Sequence, residues 1–317
     1  MSRVTLLVSV VIPSWNGRHH LEKCLPALQR QTYSPFEVIV VDNGSQDGTP
    51  AWLAEEWPHV RLVALRRNYG VARAFNEGVK AARGALVALL NNDTEPEPGW
   101  LAALVHALRR HADAGMAACK IRVWDDRTRL HAAGDFYTVG GRPGNRGAWE
   151  VDQGQYDREE EVFGPCGAAA LYRRELFDDV GLFDERFGSY LEDVDLAWRA
   201  QRAGWRCAYT PHAVVYHKVS ATGGGPLASF YTGRNWLYVL AKDYPCALWR
   251  RHWRAIVREQ WRVTADALRA WRGEAARARL RGQLAGLLGM PRMMWARRHV
   301  SAHTRVDADT LERLLRA

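Results

Sequence analysis

Four groups of residues have the types and spacing to do chemistry. Asn91-Asn92-Asp93 follows an apolar run over residues 85–90, so three polar groups stand where a buried strand ends. Open α/β sheets bind ligands at the carboxyl ends of their strands. One carboxylate flanked by amides suits a divalent ion that keeps positions open for phosphate oxygens. Asp42 closes a second apolar run, residues 36–41. A carboxylate there can accept hydrogen bonds from a nucleobase imide or a ribose hydroxyl, and an ordinary Asx-turn explains it equally well. Glu192, Asp193 and Asp195 crowd the first turn of a helix that Gly204 stops. The helix dipole stabilises anions there by about 0.3–1 kcal/mol each, while mutual repulsion lifts the pKa of one of them. His217 ends a short strand beside Lys218, which can neutralise phosphate charge.

The elements that must hold these groups alternate. Residues 4–12, 36–41, 60–65 and 85–90 form apolar runs that predict buried strands. Helical spacing follows each of the first three: Leu21, Cys24, Leu25 and Leu28, then residues 51–57, then a stretch through Arg83. Strand and helix in turn argue for an α/β fold with a mostly parallel, Rossmann-like sheet. Neither a GxxxxGK[ST] loop nor a well-placed GxGxxG is present, which counts against a P-loop NTPase or a dinucleotide enzyme. A helix over 100–111 and a strand over 116–123 come next. Residues 131–163, rich in Gly, Arg and acidic residues, predict a partly ordered loop that acts as a flap. Residues 220–225, Ser-Ala-Thr-Gly-Gly-Gly, predict a flexible segment able to close over a ligand.

The net charge of +9 is unevenly placed. Residues 226–317 hold 18 Lys/Arg against 7 Asp/Glu, whereas residues 1–225 are nearly balanced. The shift predicts two units: an α/β domain over 1–225 and a basic helical region over 226–317. In the latter, Trp249, Trp253, Val257, Trp261, Thr264, Leu268 and Trp271 share one helical face among arginines. Such a face suits the headgroups of anionic lipids, and packing on the first domain is the competing explanation. No helix-turn-helix, RNP or zinc pattern accompanies the charge, so nucleic acid is not an expected partner. Five scattered cysteines without CxxC spacing fit a reduced cytosolic protein, and no stretch has the apolar length to span a bilayer.

Four motifs in order, Val11-Ile-Pro-Ser-Trp-Asn-Gly17, Val41-Asp-Asn-Gly-Ser-Gln-Asp-Gly-Thr49, the segment from Asn68 through Asn76 to Gly78, and Leu89-Leu-Asn-Asn-Asp93, resemble family 2 glycosyltransferases of the GT-A fold. The similarity continues through Gly164-Pro-Cys-Gly-Ala168 and Tyr190-Leu-Glu-Asp-Val-Asp-Leu-Ala-Trp-Arg199, and is nearest to a rhamnosyltransferase-like branch that builds cell-surface polysaccharides. The resemblance implies a nucleotide diphosphate sugar bound by Pro13, Ser14, Asn16, Asp42, Asn68, Asn76, Asn91, Asn92 and Arg234. It implies magnesium or manganese held by Asp93 and His217, although Asn91 replaces the first acid of the family's Asp-x-Asp motif. Asp193 would be the base that deprotonates an acceptor hydroxyl, giving inversion at the anomeric carbon. The acceptor would be a glycan or a lipid-linked sugar, and the enzyme would sit in the cytoplasm on the inner face of the cell membrane. The donor is dTDP-rhamnose or a UDP-sugar on these residues. A catalytically silent nucleotide-binding or membrane scaffold is the reading from a different class.

Overall fold

The computed structural model describes residues 5–219 and 225–316. Residues 220–224, most of the glycine-rich segment expected to close over a ligand, lie outside the described residues. Strands β1 (Val8–Ser14), β2 (Phe36–Asp42), β3 (Arg61–Ala64) and β4 (Leu86–Leu90) alternate with helices α1 (Arg18–Gln29), α2 (Thr49–Glu56) and α3 (Val71–Ala81). They lie in the order β3-β2-β1-β4, all parallel. The chain reverses its direction of progress between β1 and β4, so a crevice opens beyond their carboxyl ends. The apolar runs do what their composition requires: every residue of β4 is buried between two helical layers.

The second half completes the sheet. After β5 (Thr94–Pro96) and α4 (Trp100–Arg110) come β6 (Ala114–Val123), β7 (Leu130–Ala133), β8 (Asp135–Tyr137), β9 (Pro143–Asn145) and β10 (Glu160–Val162). Then follow β11 (Ala169–Arg173), α5 (Arg174–Val180), α6 (Glu192–Ala203) and β12 (Arg206–His217). Strand β11 inserts antiparallel between β4 and β6, and β12 runs parallel to β6. The sheet is therefore mixed, though mostly parallel.

Residues 131–163 depart from the expected loop. They carry most of β7 and all of β8, β9 and β10, strands of three or four residues that are too short for alternation to show. Not all of their acidic residues are left to solvent. Asp152 pairs with the buried Lys120 at 3.0 Å and with Arg122 at 2.6 Å, tying the segment to β6.

The expected boundary at residues 225/226 is not a boundary of the core. Helices α7 (Gly225–Lys242), α8 (Cys246–Arg269), α9 (Glu274–Ala302) and α10 (Ala308–Arg313) follow. Trp236, Leu240, Tyr244 and Ile256 belong to the same apolar cluster as Tyr137, Val194 and Trp198. Tyr244 meets Trp198 edge-on at 5.5 Å between ring centroids. Charge reinforces this contact, since Lys242 pairs with Asp184 at 2.6 Å and with the fully buried Asp195. Composition marked a change in surface chemistry there, while burial runs straight through it. The tryptophan stripe divides as well. Trp249 packs against the core, whereas Trp253, Trp261 and Trp271 are 50%, 68% and 58% exposed.

A chain ending at Gly225 should accordingly lose cooperative unfolding in urea, because it would expose the Val194–Trp198 face of α6. A sharp transition of unchanged midpoint would show instead that residues 1–225 form an independent unit.

Candidate active site

A cavity of about 650 Å³ lies at the carboxyl ends of β1 and β4. Pro13, Ser14, Asn68, Asn91, Asn92 and Asp93 form part of its wall, and Asp193 and His217 form another part. Tertiary structure thus brings together eight of the residues singled out in the sequence. Asn92 is held by its own amide, which donates to Ser14 Oγ at 3.0 Å. Thr94 Oγ1 donates to the Asn91 carbonyl at 2.6 Å, fixing the turn that presents Asp93.

Asp93 is buried, and its Oδ1 has no hydrogen-bond partner among the described residues. His217, delivered by the end of β12, places Nε2 3.2 Å from that oxygen without the alignment of a hydrogen bond. Its Nδ1 lies 3.0 Å from Nδ1 of His131, a contact that needs one proton between the two nitrogens. Burial, and then the neighbouring His217, push the His131 pKa down to about 3, so His131 stays neutral. An unpartnered buried carboxylate oxygen beside an imidazole nitrogen fits a divalent cation, with its other positions left to phosphate and water.

Asp193 lies in the first turn of α6 and is half-buried. Gly167 N–H donates to its Oδ2 at 2.8 Å, and the Val194 N–H donates to its Oδ1 at 2.8 Å. A Cβ at Gly167 would fall 2.9 Å from Asp193 Oδ2, so only glycine permits this approach. Burial raises the Asp193 pKa, and the backbone donors partly restore it. Glu192 and Asp135 are raised well above their ordinary values, first by burial and then by the Asp193 charge. Of these three carboxylates, Asp193 is the one its surroundings favour as an anion. Asp195 is not part of this cluster. It is turned into the core, where Arg199 holds it at 2.8 Å.

Three expected site residues do other work, and a fourth, Asp42, does not line the cavity. Asn76 is buried, and its amide donates to the Phe183 carbonyl and accepts from the Phe183 N–H, both at 2.9 Å. Asn16 spends its Oδ1 on the Gln46 N–H at 2.7 Å, joining the loops after β1 and β2. Arg234 donates to the Phe187 carbonyl at 2.6 Å and to the Arg186 carbonyl at 3.0 Å, with the rings of Tyr231 and Tyr238 on its guanidinium. Asp42 lies behind the wall at the end of β2, with Oδ1 buried and lacking a partner among the described residues. The neighbouring Asn43 lines the cavity instead and bonds to Asn68 Oδ1 at 3.0 Å. His131, Asp135 and Asn43 were missed by sequence reasoning. Asn43 adjoined a recognised motif, but no spacing pattern marks the other two.

Residues 9–181 match the model of glycosyl transferase family 2. The chain belongs to that family. It is 32% identical over 270 residues to the N-acetylglucosaminyl-diphospho-decaprenol L-rhamnosyltransferase of Mycobacterium tuberculosis, a match covering 78% of this chain and 88% of that protein. Among solved structures it resembles a mannosyltransferase from Pyrobaculum calidifontis in complex with GDP-Man and Mn2+. That likeness has a TM-score of 0.57 at 21% identity and covers 94% of this chain and 86% of the other. It also resembles GalNAc-T7 with UDP, GalNAc and Mn2+, at a TM-score of 0.61 and 16% identity, covering 78% of this chain and half of that one. The transferase therefore has a GT-A-type fold and is a nucleotide-sugar glycosyltransferase. Among its described residues no helix is long and apolar enough to cross a membrane.

The raised Glu192 carboxyl ties stability to pH. Its contribution is complete below the unfolded value near 4.5 and fades as pH rises through the higher folded value. The unfolding midpoint of Glu192→Gln should therefore gain on the parent protein as pH rises above about 4.5. A difference that does not change with pH would mean that Glu192 is ionised in the fold.

Proposed function

We propose that the transferase is an inverting enzyme that moves a sugar, L-rhamnose from its nucleotide diphosphate, to a hydroxyl of a lipid-linked acceptor. The observation that carries this reading is Asp193, a half-buried carboxylate oriented by two backbone donors in the same cavity as Asp93 and His217. The sugar and acceptor rest on the named activity of the mycobacterial relative. The acceptor hydroxyl gives its proton to Asp193 as its oxygen attacks the anomeric carbon. The bond to the diphosphate breaks on the far face, and the configuration inverts. Asp93 and His217 would hold the divalent ion, which when bound offsets charge growing on the nucleotide diphosphate. An imidazole beside a carboxylate favours manganese over the oxygen-seeking magnesium. The donor's ribose and base would rest against Asn43 and Asn68, and the orphaned Asp42 Oδ1 would accept a hydrogen bond from the base imide N–H behind them.

The outer face of the C-terminal helices supports work at a membrane surface in the cytoplasm. Trp261 and Trp295 are each 68% exposed and Leu288 is 76% exposed, in a region where arginine far outnumbers acid. Aromatic rings with arginines suit the headgroup layer of anionic lipids.

Replacing Asp193 by Asn should lower turnover at least a hundredfold while nucleotide diphosphate still raises the melting temperature in manganese. A product of retained configuration would remove Asp193 from this role. The same melting assay with dTDP, UDP and GDP should show the largest shift for dTDP, and a larger UDP shift would move the donor to a UDP-sugar. In flotation with anionic vesicles, Trp253, Trp261 and Trp295 changed together to Ser should leave the protein at the bottom of the gradient. Unchanged flotation would mean that this face meets something other than lipid.

A further inference from the structure

Three arginines reach the cavity from its later elements: Arg142, Arg262 and Arg279. Two of them have acidic partners. Glu259 lies 2.6 Å from Arg262 and 3.7 Å from Arg142. Arg279 has no side-chain hydrogen bond or ion pair among the described residues, although it is only partly exposed. Burial lowers its pKa with no carboxylate to oppose the shift. A guanidinium remains charged in proteins, so a partly desolvated one without a counter-ion is a standing cost that a bound anion would relieve.

Its position is built. Arg279 lies in α9 where that helix crosses α7 at close range: a Cβ on Gly233 would meet the Arg279 carbonyl at 2.7 Å, and one on Gly282 would meet the Phe230 carbonyl at 2.1 Å. Glycines at the crossing allow the backbones to touch, and they seat Arg279 in the wall with Leu227, Trp236 and Val263. That wall reaches the surface at Leu227, which lines the cavity and is 52% exposed. Val263 faces the cavity while Trp261 and Val257, on the same helix, face outward at 68% and 53% exposure.

We propose that Arg279 binds the diphosphate of the lipid-linked acceptor, at a subsite separate from the donor diphosphate at Asp93 and His217. The guanidinium fork matches two phosphate oxygens, and the outer face of α8 offers the acceptor's hydrocarbon a path away from the cavity. This inference rests on the reading of the acceptor as lipid-linked.

The test measures equilibrium binding of a short-chain prenyl diphosphate-linked sugar to the full chain, and separately of dTDP with manganese. The variants are Arg279→Gln and Arg279→Lys. The parent protein alone tests the acceptor class: no binding of the prenyl diphosphate sugar would sink both that reading and this one. With binding present, Arg279→Gln should weaken the acceptor about tenfold or more, leave dTDP within about twofold, and leave the KM for a phosphate-free alkyl glycoside unchanged. Arg279→Lys should recover part of the loss. A matching loss for dTDP would reassign Arg279 to the donor, and equal acceptor affinity in all three proteins would overturn the proposal. If Arg279→Gln melts early, Arg279→Lys decides: it keeps the charge without the fork, and acceptor affinity equal to the parent would refute bidentate recognition. Anionic phospholipid vesicles form the last arm, where a loss of vesicle binding with acceptor affinity intact would assign the arginine to headgroups.

Discussion

The active site depends on how residues 183–191 are held before α6 begins. Tyr190 and Leu191 both adopt left-handed backbone angles, φ 67° and 64°, which bulky L-residues avoid. Surrounding contacts must offset that strain. Asn235, fully buried on α7, donates to the carbonyls of Phe187, Ser189 and Tyr190. Arg234 grips Phe187 again from the same turn, and Asn76 grips Phe183 from α3. Below them Lys242 joins Asp184 to Asp195, and Arg199 completes the charge balance. Removing one partner from such a buried set costs about 3–5 kcal/mol. The geometry of Asp193 is thus imposed by a helix that composition would assign to another domain.

The same arrangement sorts the charges around the cavity. Acidic groups gather where α6 starts and where β8 meets the wall. Asp193 is singled out by donors from the Gly167 and Val194 backbone, while Glu192 has a bond from its own backbone N–H and Asp135 one from the Asn145 amide. Arg262 and Arg279 come from α8 and α9, and among the described residues Arg279 has no carboxylate partner. In the proposed reaction a diphosphate and a hydroxyl that must lose a proton want opposite surroundings, and the cavity has an acidic and a basic side for them.

Much of this was legible in the chain. The apolar runs of β1, β2 and β4 are long enough for burial on both faces to show, and the polar residues that end them lie at the crevice because parallel strands all end on one side. The short strands β7 to β10 carried no such signal, and with them went His131 and Asp135. Arg234, Asn76 and Asn16 were expected to bind the nucleotide sugar, but motif position does not say whether a side chain faces a ligand or a neighbouring backbone group.

By itself the sequence determined the α/β class and the family, and it marked Asp93, Asp193 and His217 as a candidate site, because these follow from local runs, spacing and order along the chain. Only the tertiary structure decided that the basic helices complete the core, that Asp195 turns inward while Asp193 turns to the cavity, and that Arg279 has no acidic partner among the described residues. Each of these depends on which side chains meet across more than forty residues of chain, and burial and pairing at that range are settled by packing.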